Sequence, residues 1–368
     1  MSFLNLSWDS SDPTLFLSQK VGLADFVNIA HPSLEELALK QRSQYWIETE
    51  NKMDTDRKQW PIIPQDYRDI TTENLAWQTM TDSFVARAPE ASLAPLVSRP
   101  ELEGMIKEWG YFENIHSRAY SNIIQEVLPN PEVFIQTIVQ NLQAFERIAG
   151  TVGFFDQLYR AARRWEELDY PTEKDRQEMQ YMILLAYIHI YALESIQFYA
   201  SFACTFALAE EDILSGIANN LVLIARDEAL HTRMSKEVIT IHSGQVAPWI
   251  VEKAMSQAPT ILQSVMLKEI EWARYIFRNG RYLPSLGVQS LTEYLYHIGT
   301  VSFEYLGVEI PSDMERVVDN PLKYMDLYLD PDRFQATPQE TSITNYRVGQ
   351  TTSASEQDLG GLAEEFGL

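Results

Sequence analysis

The stretch Phe112–Tyr120, which reads FENIHSRAY, decides the fold of this 368-residue chain. On a helix, residues three or four positions apart lie on one face. The carboxylate of Glu113, the imidazole of His116 and the phenol of Tyr120 would therefore point into the same space. A second Glu-x-x-His pair occurs in the stretch 228–231. Two such pairs on separate helices form the core of the di-metal sites that lie inside four-helix bundles.

A site of this kind also needs one carboxylate from each of two further helices. Asp82 precedes the first pair on a largely apolar helical pattern, and Glu194 precedes the second pair in the apolar segment 182–209. The predicted ligands are therefore Asp82, Glu113, His116, Glu194, Glu228 and His231. Each of these six residues could instead be a surface residue or part of a salt bridge. This alternative is strongest for Asp82 and weakest for Glu194. Four carboxylates and two imidazoles suit iron or manganese better than structural zinc, which favours four tetrahedral ligands.

The phenol of Tyr120 is predicted to lie within one helical turn of the metals. Phe198 and Phe202 follow Glu194 at helical spacing, and Ile224 precedes the second Glu-x-x-His pair by one turn, so all three would line the same space. A phenol in a dry pocket beside metals that activate oxygen could be oxidised and kept as a radical. The alternative, a core tyrosine within an aromatic stripe, stays open from the residues alone.

Composition and net charge argue against some classes of binding partner. The chain is 45% hydrophobic and carries a formal net charge of −23, whereas nucleic acid and anionic lipid are bound through Lys and Arg. We therefore expect no nucleic-acid partner and no binding to a membrane surface. Cys204 is the only cysteine, which excludes disulfides and predicts a buried thiol in a reducing cytoplasm. The N-terminus lacks the basic-then-apolar order of a signal peptide.

One segment could be mistaken for a membrane span. Residues 182–209 contain neither Lys nor Arg and are mostly apolar, which meets a crude criterion for a span. Glu194 lies in the middle of this segment, where an ionised group would be costly in lipid. The central helix of a soluble bundle is therefore the better interpretation.

Helical periodicity runs through most of the chain, and no strand-period segment of any length occurs. We predict one helix that begins at Pro32, one that begins near Thr71, and two late helices over 247–278 and 288–305. The predicted organisation is an extended arm over 1–30, an all-α domain over 31–330 and a flexible tail over 331–368.

The tail is mostly polar, which is typical of flexible segments. It nevertheless ends with Leu359, Leu362 and Phe366 among acidic residues. An apolar anchor at the end of a loose acidic tether indicates docking onto a partner protein. A frayed terminus is the alternative.

With these residues in place, the chain from about residue 25 to its end resembles the small (beta) subunit of class I ribonucleotide reductases. The motifs that carry the resemblance are ENIHSRAY at 113–120 and ARDEALH at 225–231. The resemblance implies an all-α, ferritin-like bundle with extra helices, a homodimer and a large (alpha) catalytic subunit as partner. It also implies a ribonucleoside-diphosphate reductase activity, in which a di-metal centre and molecular oxygen oxidise a tyrosine to a stable radical. That radical is relayed to the large subunit, which makes deoxyribonucleotides for DNA synthesis.

The resemblance also assigns roles to individual residues. The metal ligands would be Asp82, Glu113, His116, Glu194, Glu228 and His231. Tyr120 would carry the radical, with Phe198, Phe202 and Ile224 as its apolar surround. Radical transfer would use Trp46, Asp227, which links that tryptophan to His116, and Tyr346 in the tail. Two irons per chain are expected, and manganese is the alternative.

Two other functions stay open from the residues alone. A di-iron oxygenase that acts on its own substrate would leave Trp46, Tyr346 and the tail without a purpose. In an iron-storage protein or a metal-free interaction protein, Tyr120 and the tail would have no functional role. No Gly-rich phosphate loop occurs, so we do not expect the chain to bind the nucleotide substrate itself.

Overall fold

The computed structural model describes residues 5–329. That part of the chain contains fourteen α-helices, and its β-bridges are isolated pairs. The helices are α1 Pro32–Ser43, α2 Asp54–Gln59, α3 Gln65–Val85, α4 Ala88–Leu93, α5 Pro100–Val127, α6 Pro131–Ile138, α7 Leu142–Glu167, α8 Glu173–Ala192, α9 Tyr199–Ala209, α10 Ser215–Ser243, α11 Pro248–Met255, α12 Ala258–Ile276, α13 Val288–Leu306 and α14 Lys323–Tyr328. The all-α prediction is confirmed.

Helix α5 shows why these residues form long helices. Pro100 occupies its first turn, where the missing N–H of proline costs nothing. Met105, Trp109 and Phe112 then recur at helical spacing and are buried. The helix ends before Pro129, which cannot continue it. The stretch 112–120 therefore lies in the middle of a helix with one face in the core.

Four helical segments surround the centre of the bundle. Helix α3 packs on α5, α5 packs on α10, and α10 packs on both α8 and α9. Helix α1 crosses the outside of α5 and α10. The resulting four-helix core with additional helices is the architecture that the sequence predicted.

The segment Glu173–Ala209 passes through this core. It is long and apolar enough to cross a membrane by length and composition, but 78% of its most apolar window is buried inside the protein. This burial is expected for the core helix of a soluble bundle. Between α8 and α9 the segment contains a π-helical turn, Leu193–Gln197. Such turns occur frequently at functional sites.

Several helix boundaries differ from the predicted ones. Helix α3 begins at Gln65 rather than near Thr71, because buried Tyr67 and Ile70 already continue its apolar face. The stretch 247–278 forms two helices, α11 and α12, since Pro259 favours a new helix start. Helix α14 was not predicted. The predicted tail, 331–368, lies outside the described residues, so its boundary stays a prediction.

The described part of the N-terminal arm, residues 5–30, contains no helix. It is tied to the bundle by a fully buried ion pair between Arg99 and Glu101. Arg99 donates to backbone carbonyls of the arm, and Glu101 accepts from backbone amides near the start of α1. A buried charge pair with this many hydrogen bonds fixes the path of the arm.

The start of α10 is held by a side chain from another helix. Asp56 of α2 is buried, and its two oxygens accept the amides of Gly216 at 3.1 Å and Ile217 at 2.7 Å. These amides have no partner within their own helix, because the first turn leaves them free. Gly216 is needed for this close approach, since a Cβ there would lie 2.7 Å from the carbonyl oxygen of Lys52.

We expect Asp56→Ala to lower the free energy of unfolding by about 2 kcal/mol, because a helix cap is lost and two amides become unsatisfied. The measurement is urea unfolding followed by circular dichroism. Asp54→Ala is the matched control, since Asp54 lies on the exposed side of the same short helix. Equal stability of the two variants would contradict this role of Asp56.

Candidate metal centre

The six predicted ligands come from the four central segments and meet inside the bundle. Asp82 lies on α3, the first Glu-x-x-His pair on α5, Glu194 in the π-helical turn and the second pair on α10. All six side chains are at most 1% exposed. They form two groups whose ligand atoms lie within 4.8 Å of one another, namely Asp82, Glu113, His116 and Glu228, and Glu113, Glu194, Glu228 and His231.

Glu113 and Glu228 belong to both groups. The Nδ1 atom of His116 lies 3.5 Å from Oε2 of Glu113 and 3.3 Å from Oε1 of Glu228. The Nδ1 atom of His231 lies 3.0 Å from Oε1 of Glu113 and 2.9 Å from Oε2 of Glu228. Each of these carboxylates therefore presents one oxygen to each imidazole. This is the arrangement that a bridging carboxylate needs.

The carboxyl groups of the cluster differ in pKa. Burial, and after it the charges of Glu113 and Glu228, raise the pKa of Asp82 well above its usual range. Burial and the same two charges raise the pKa of Glu194. Burial also opposes ionisation of Glu113, but contacts with the two histidines lower its pKa to about 2. Asp82 and Glu194 therefore hold a proton more tightly than Glu113 does.

Both imidazoles of the cluster bind protons strongly. Burial disfavours the charged form of His116, but the charge of Glu228 and contacts with Asp227 and Glu113 raise its pKa well above the usual value. Burial is outweighed in the same way for His231, whose pKa rises to about 9 through Glu113 and Glu228. At pH 7 His231 therefore carries a positive charge in the metal-free protein.

The polar atoms of the cluster fit two bound metal ions. Within the described residues, seven buried ligand atoms lack a hydrogen-bond partner, namely both oxygens of Asp82 and of Glu194, one oxygen each of Glu113 and Glu228, and Nδ1 of His116. Unpaired buried polar atoms are costly, and divalent cations would fill their lone pairs and offset their charge. Oxygen-rich donors with imidazoles are typical of iron and manganese sites.

A chain of contacts leads from the cluster towards α1. The imidazole Nε2 of His116 lies 3.2 Å from Oδ2 of Asp227, which also accepts the indole N–H of Trp46 at 2.7 Å. The rings of Trp46 and His116 have centroids 6.0 Å apart. Arg226 donates to the carbonyl of Gln44 at 2.6 Å, which holds the loop before Trp46 against α10. The structure thus brings together three residues that lie far apart in the sequence.

Two residues at the cluster were missed by sequence reasoning. The indole N–H of Trp109 donates to Oε1 of Glu113 at 2.9 Å. Its position one turn before Glu113 was a signal that could have identified it. The side-chain nitrogen of Gln41, buried on α1, lies 2.6 Å from Nε2 of His231. No spacing rule predicts this contact, because the two residues lie on different helices.

Tyr120 is completely buried on the same helix as the first Glu-x-x-His pair. Among residues 5–329 its hydroxyl has no hydrogen-bond partner. Burial and the charges of Asp82, Glu228 and Glu113 raise the pKa of its phenol well above the usual value. The residues predicted to surround it, Phe198, Phe202 and Ile224, are also completely buried. Phe198 and Phe202 stack with their ring centroids 5.8 Å apart.

The sequence profile of the family described as "Ribonucleotide reductase, small chain" matches residues 23–312. The chain belongs to this family. It is 32% identical over 362 residues to the beta subunit of ribonucleoside-diphosphate reductase 1 from Salmonella typhimurium, and the match covers 95% of each chain. The predicted family and class of enzyme are confirmed. The chain acts as a radical-generating small subunit and works with a large subunit.

Solved structures share the fold at low sequence identity. The ribonucleotide reductase R2 subunit from Clostridium botulinum aligns with a TM-score of 0.76 at 16% identity, over 89% of this chain and 98% of that one. The Streptococcus sanguinis protein described as dimanganese(II)-NrdF aligns with a TM-score of 0.64 at 14% identity, over 82% of this chain and 97% of that one. These likenesses establish the ferritin-like bundle.

Metal uptake is expected to release protons, because ligands bind metals in their deprotonated forms. At pH 7 the imidazolium of His231, with a pKa of about 9, must lose its proton to a binding metal. Calorimetric titration of metal-free protein with Mn(II) in two buffers of different ionisation enthalpy should show a release of about one proton or more per chain. The apparent affinity should increase from pH 6 towards pH 9.

The control for this measurement is His231→Gln, which should release fewer protons because the proton-carrying ligand is absent. Equal heats in both buffers for the unmodified protein would show that the cluster is not protonated before metal binding.

Proposed function

We propose that the cluster binds two iron ions per chain, with manganese as the alternative, and that Tyr120 carries the stable radical. The observation that carries this proposal is the joint burial of a phenol and two groups of unpaired ligand atoms in the same bundle. Two metal ions held there would supply, together with molecular oxygen, the oxidant for a nearby phenol. The proposed ligands are Asp82, Glu113, His116, Glu194, Glu228 and His231.

The surroundings of Tyr120 suit the formation and storage of a radical. Because the pKa of its phenol is raised well above 10, the hydroxyl keeps its proton until the electron leaves. After burial, the charge of Asp82 is the largest cause of that shift, so its carboxylate lies near the phenol although no hydrogen bond joins them in this structure, and we propose it as the acceptor of the proton. The complete burial of Tyr120, Phe198, Phe202 and Ile224 keeps water and reductants away from the oxidised ring.

Radical transfer is proposed to leave the centre through Trp46. Its indole donates to Asp227, and Asp227 contacts the ligand His116, so two contacts connect the ring with the metal site. Tyr346 lies outside the described residues. We propose that it carries the radical across the boundary to the large subunit and that the tail 331–368 docks there.

We further propose that the protein is a cytoplasmic homodimer. The formal net charge of −23 supports the absence of nucleic-acid and membrane partners, because both are bound through basic residues. The absence of a Gly-rich phosphate loop in the sequence supports nucleotide binding by the large subunit alone.

Tyr120→Phe should abolish the radical and keep the metals, because only the phenol hydroxyl is removed. The measurement is low-temperature electron paramagnetic resonance after metal-free protein is loaded with Fe(II) and oxygen. Wild type should give a tyrosyl doublet with about two irons per chain. Tyr187→Phe is the matched control, since its hydroxyl is also buried without a partner in the described region. A doublet in Tyr120→Phe would reassign the radical.

Deletion of the residues after 340 should abolish ribonucleotide reduction with the large subunit. Metal content and the tyrosyl doublet should stay unchanged, because the proposed ligands and Tyr120 all lie before that point. Tyr346→Phe in the full-length chain separates docking from transfer, since it should bind the large subunit normally and still be inactive. Activity in the truncated protein would contradict the proposed role of the tail.

A further inference from the structure

A second buried polar cluster lies behind the π-helical turn. Arg147 of α7 and Glu269 of α12 form a two-pronged ion pair, and both side chains are at most 1% exposed. Removing two charges from water costs several kcal/mol per ion, and a hydrophobic pair of the same size would often be as stable. Stability alone therefore gives a weak reason for this pair.

The ion pair is connected directly to the π-helical turn. The guanidinium of Arg147 donates to the carbonyl of Gln197 at 2.6 Å, and the side-chain amide of Gln197 donates to the carbonyl of Arg147 at 2.8 Å. Gln197 is the last residue of the turn, and Glu194 lies three residues before it. At the same end, the amide of Ser201 donates to the carbonyl of Phe198. Arg147 thus donates to a carbonyl at the point where the α-helical hydrogen-bond pattern is interrupted.

The guanidinium itself has little freedom to move. It lies 3.4 Å from the ring centroid of Trp77 and 4.8 Å from that of Trp272. The indole N–H of Trp272 donates to Oδ1 of Asn74 at 2.9 Å, and the hydroxyl of Ser201 donates to the same oxygen at 3.1 Å. Stacking between two rings and a planar fork of donors are properties that arginine provides and lysine does not.

We propose that Arg147 and Glu269 act as a clamp that positions Glu194. A π-helical turn has i→i+5 hydrogen bonds in place of the i→i+4 bonds of an α-helix and is rare outside functional sites. Glu269 orients Arg147, Arg147 holds the carbonyl of Gln197, and the turn then points Glu194 into the cluster. This inference rests on the proposed function, because it takes Glu194 as a metal ligand. Arg147 and Glu269 are positioning residues and do not contact the metals.

The geometry predicts an unequal effect on the two metal positions. Only the group of Glu113, Glu194, Glu228 and His231 contains a residue of the π-helical turn, whereas the group with Asp82 draws its ligands from α3, α5 and α10. Loss of the clamp should weaken the first group and spare the second. Partners that orient a ligand typically change metal affinity 10- to 100-fold when they are removed.

The test uses the double variant Arg147→Met with Glu269→Leu, which removes both charges and leaves neither unpaired. Mn(II) binding to the metal-free protein is measured by calorimetry, and hydrogen exchange is measured over residues 193–199. We expect one Mn(II) site per chain to weaken roughly 10- to 100-fold while the other changes less than about twofold. The amides of the π-helical turn should exchange at least about tenfold faster.

The matched control is Arg99→Met with Glu101→Leu, which removes the other buried Arg–Glu pair, the one that holds the N-terminal arm. This control should lose stability and keep both Mn(II) sites. Arg147→Lys is the second variant. This variant keeps the positive charge but loses the planar set of guanidinium donors. It should fold and still weaken the Mn(II) site that contains Glu194. Equal weakening of both sites, or no change at either site and in exchange, would overturn the clamp.

Glu194→Gln separates this inference from the proposed function. If Glu194→Gln loses one Mn(II) site and the clamp variants lose none, the clamp is wrong and the ligand assignment stands. If Glu194→Gln keeps both sites at full affinity, the ligand assignment itself fails.

Discussion

The structure has to bury six ionisable side chains together at the centre of the bundle. Four carboxyl groups and two imidazoles crowd together between the central helices. Burial and mutual repulsion raise the pKa of Asp82 and Glu194, and the neighbouring carboxylates raise the pKa of both histidines, so bound protons offset part of the negative charge. Divalent cations bound at these atoms would offset the same charge and replace those protons. Metal uptake would therefore be coupled to proton release.

Much of the site could be predicted because its parts are local. A Glu-x-x-His pair lies on one helical face whatever surrounds it, so two pairs identified α5 and α10 from the sequence alone. Long-range contacts left no such signal. The contact of Gln41 with His231 and the ion pair of Arg147 with Glu269 join separate helices, and only the packed structure shows them. The predicted single helix over 247–278 was wrong because Pro259 marks the start of a second helix.

The fold separates Tyr120, the proposed radical site, from the solvent and from the surface where a large subunit would bind. Tyr120 is buried among apolar side chains, whereas the family to which the chain belongs works with a separate large subunit. A buried ring that has to react elsewhere needs a conducting path through the protein. The contacts of Trp46, Asp227 and His116 would provide the section of such a path that leads away from the cluster. The carboxylate of Asp227 contacts both the imidazole and the indole, so it orients the two rings together.

The loop between α1 and α2 is attached to α10 at both of its ends. Arg226 holds the carbonyl of Gln44, and Asp56 holds the amides of Gly216 and Ile217. Trp46 lies beside the first attachment. Two residues further on, Glu48 accepts hydrogen bonds from Arg118 and Asn122 of α5. The loop that carries the tryptophan is therefore held by both helices that contain a Glu-x-x-His pair, so a shift of either helix would also move the indole.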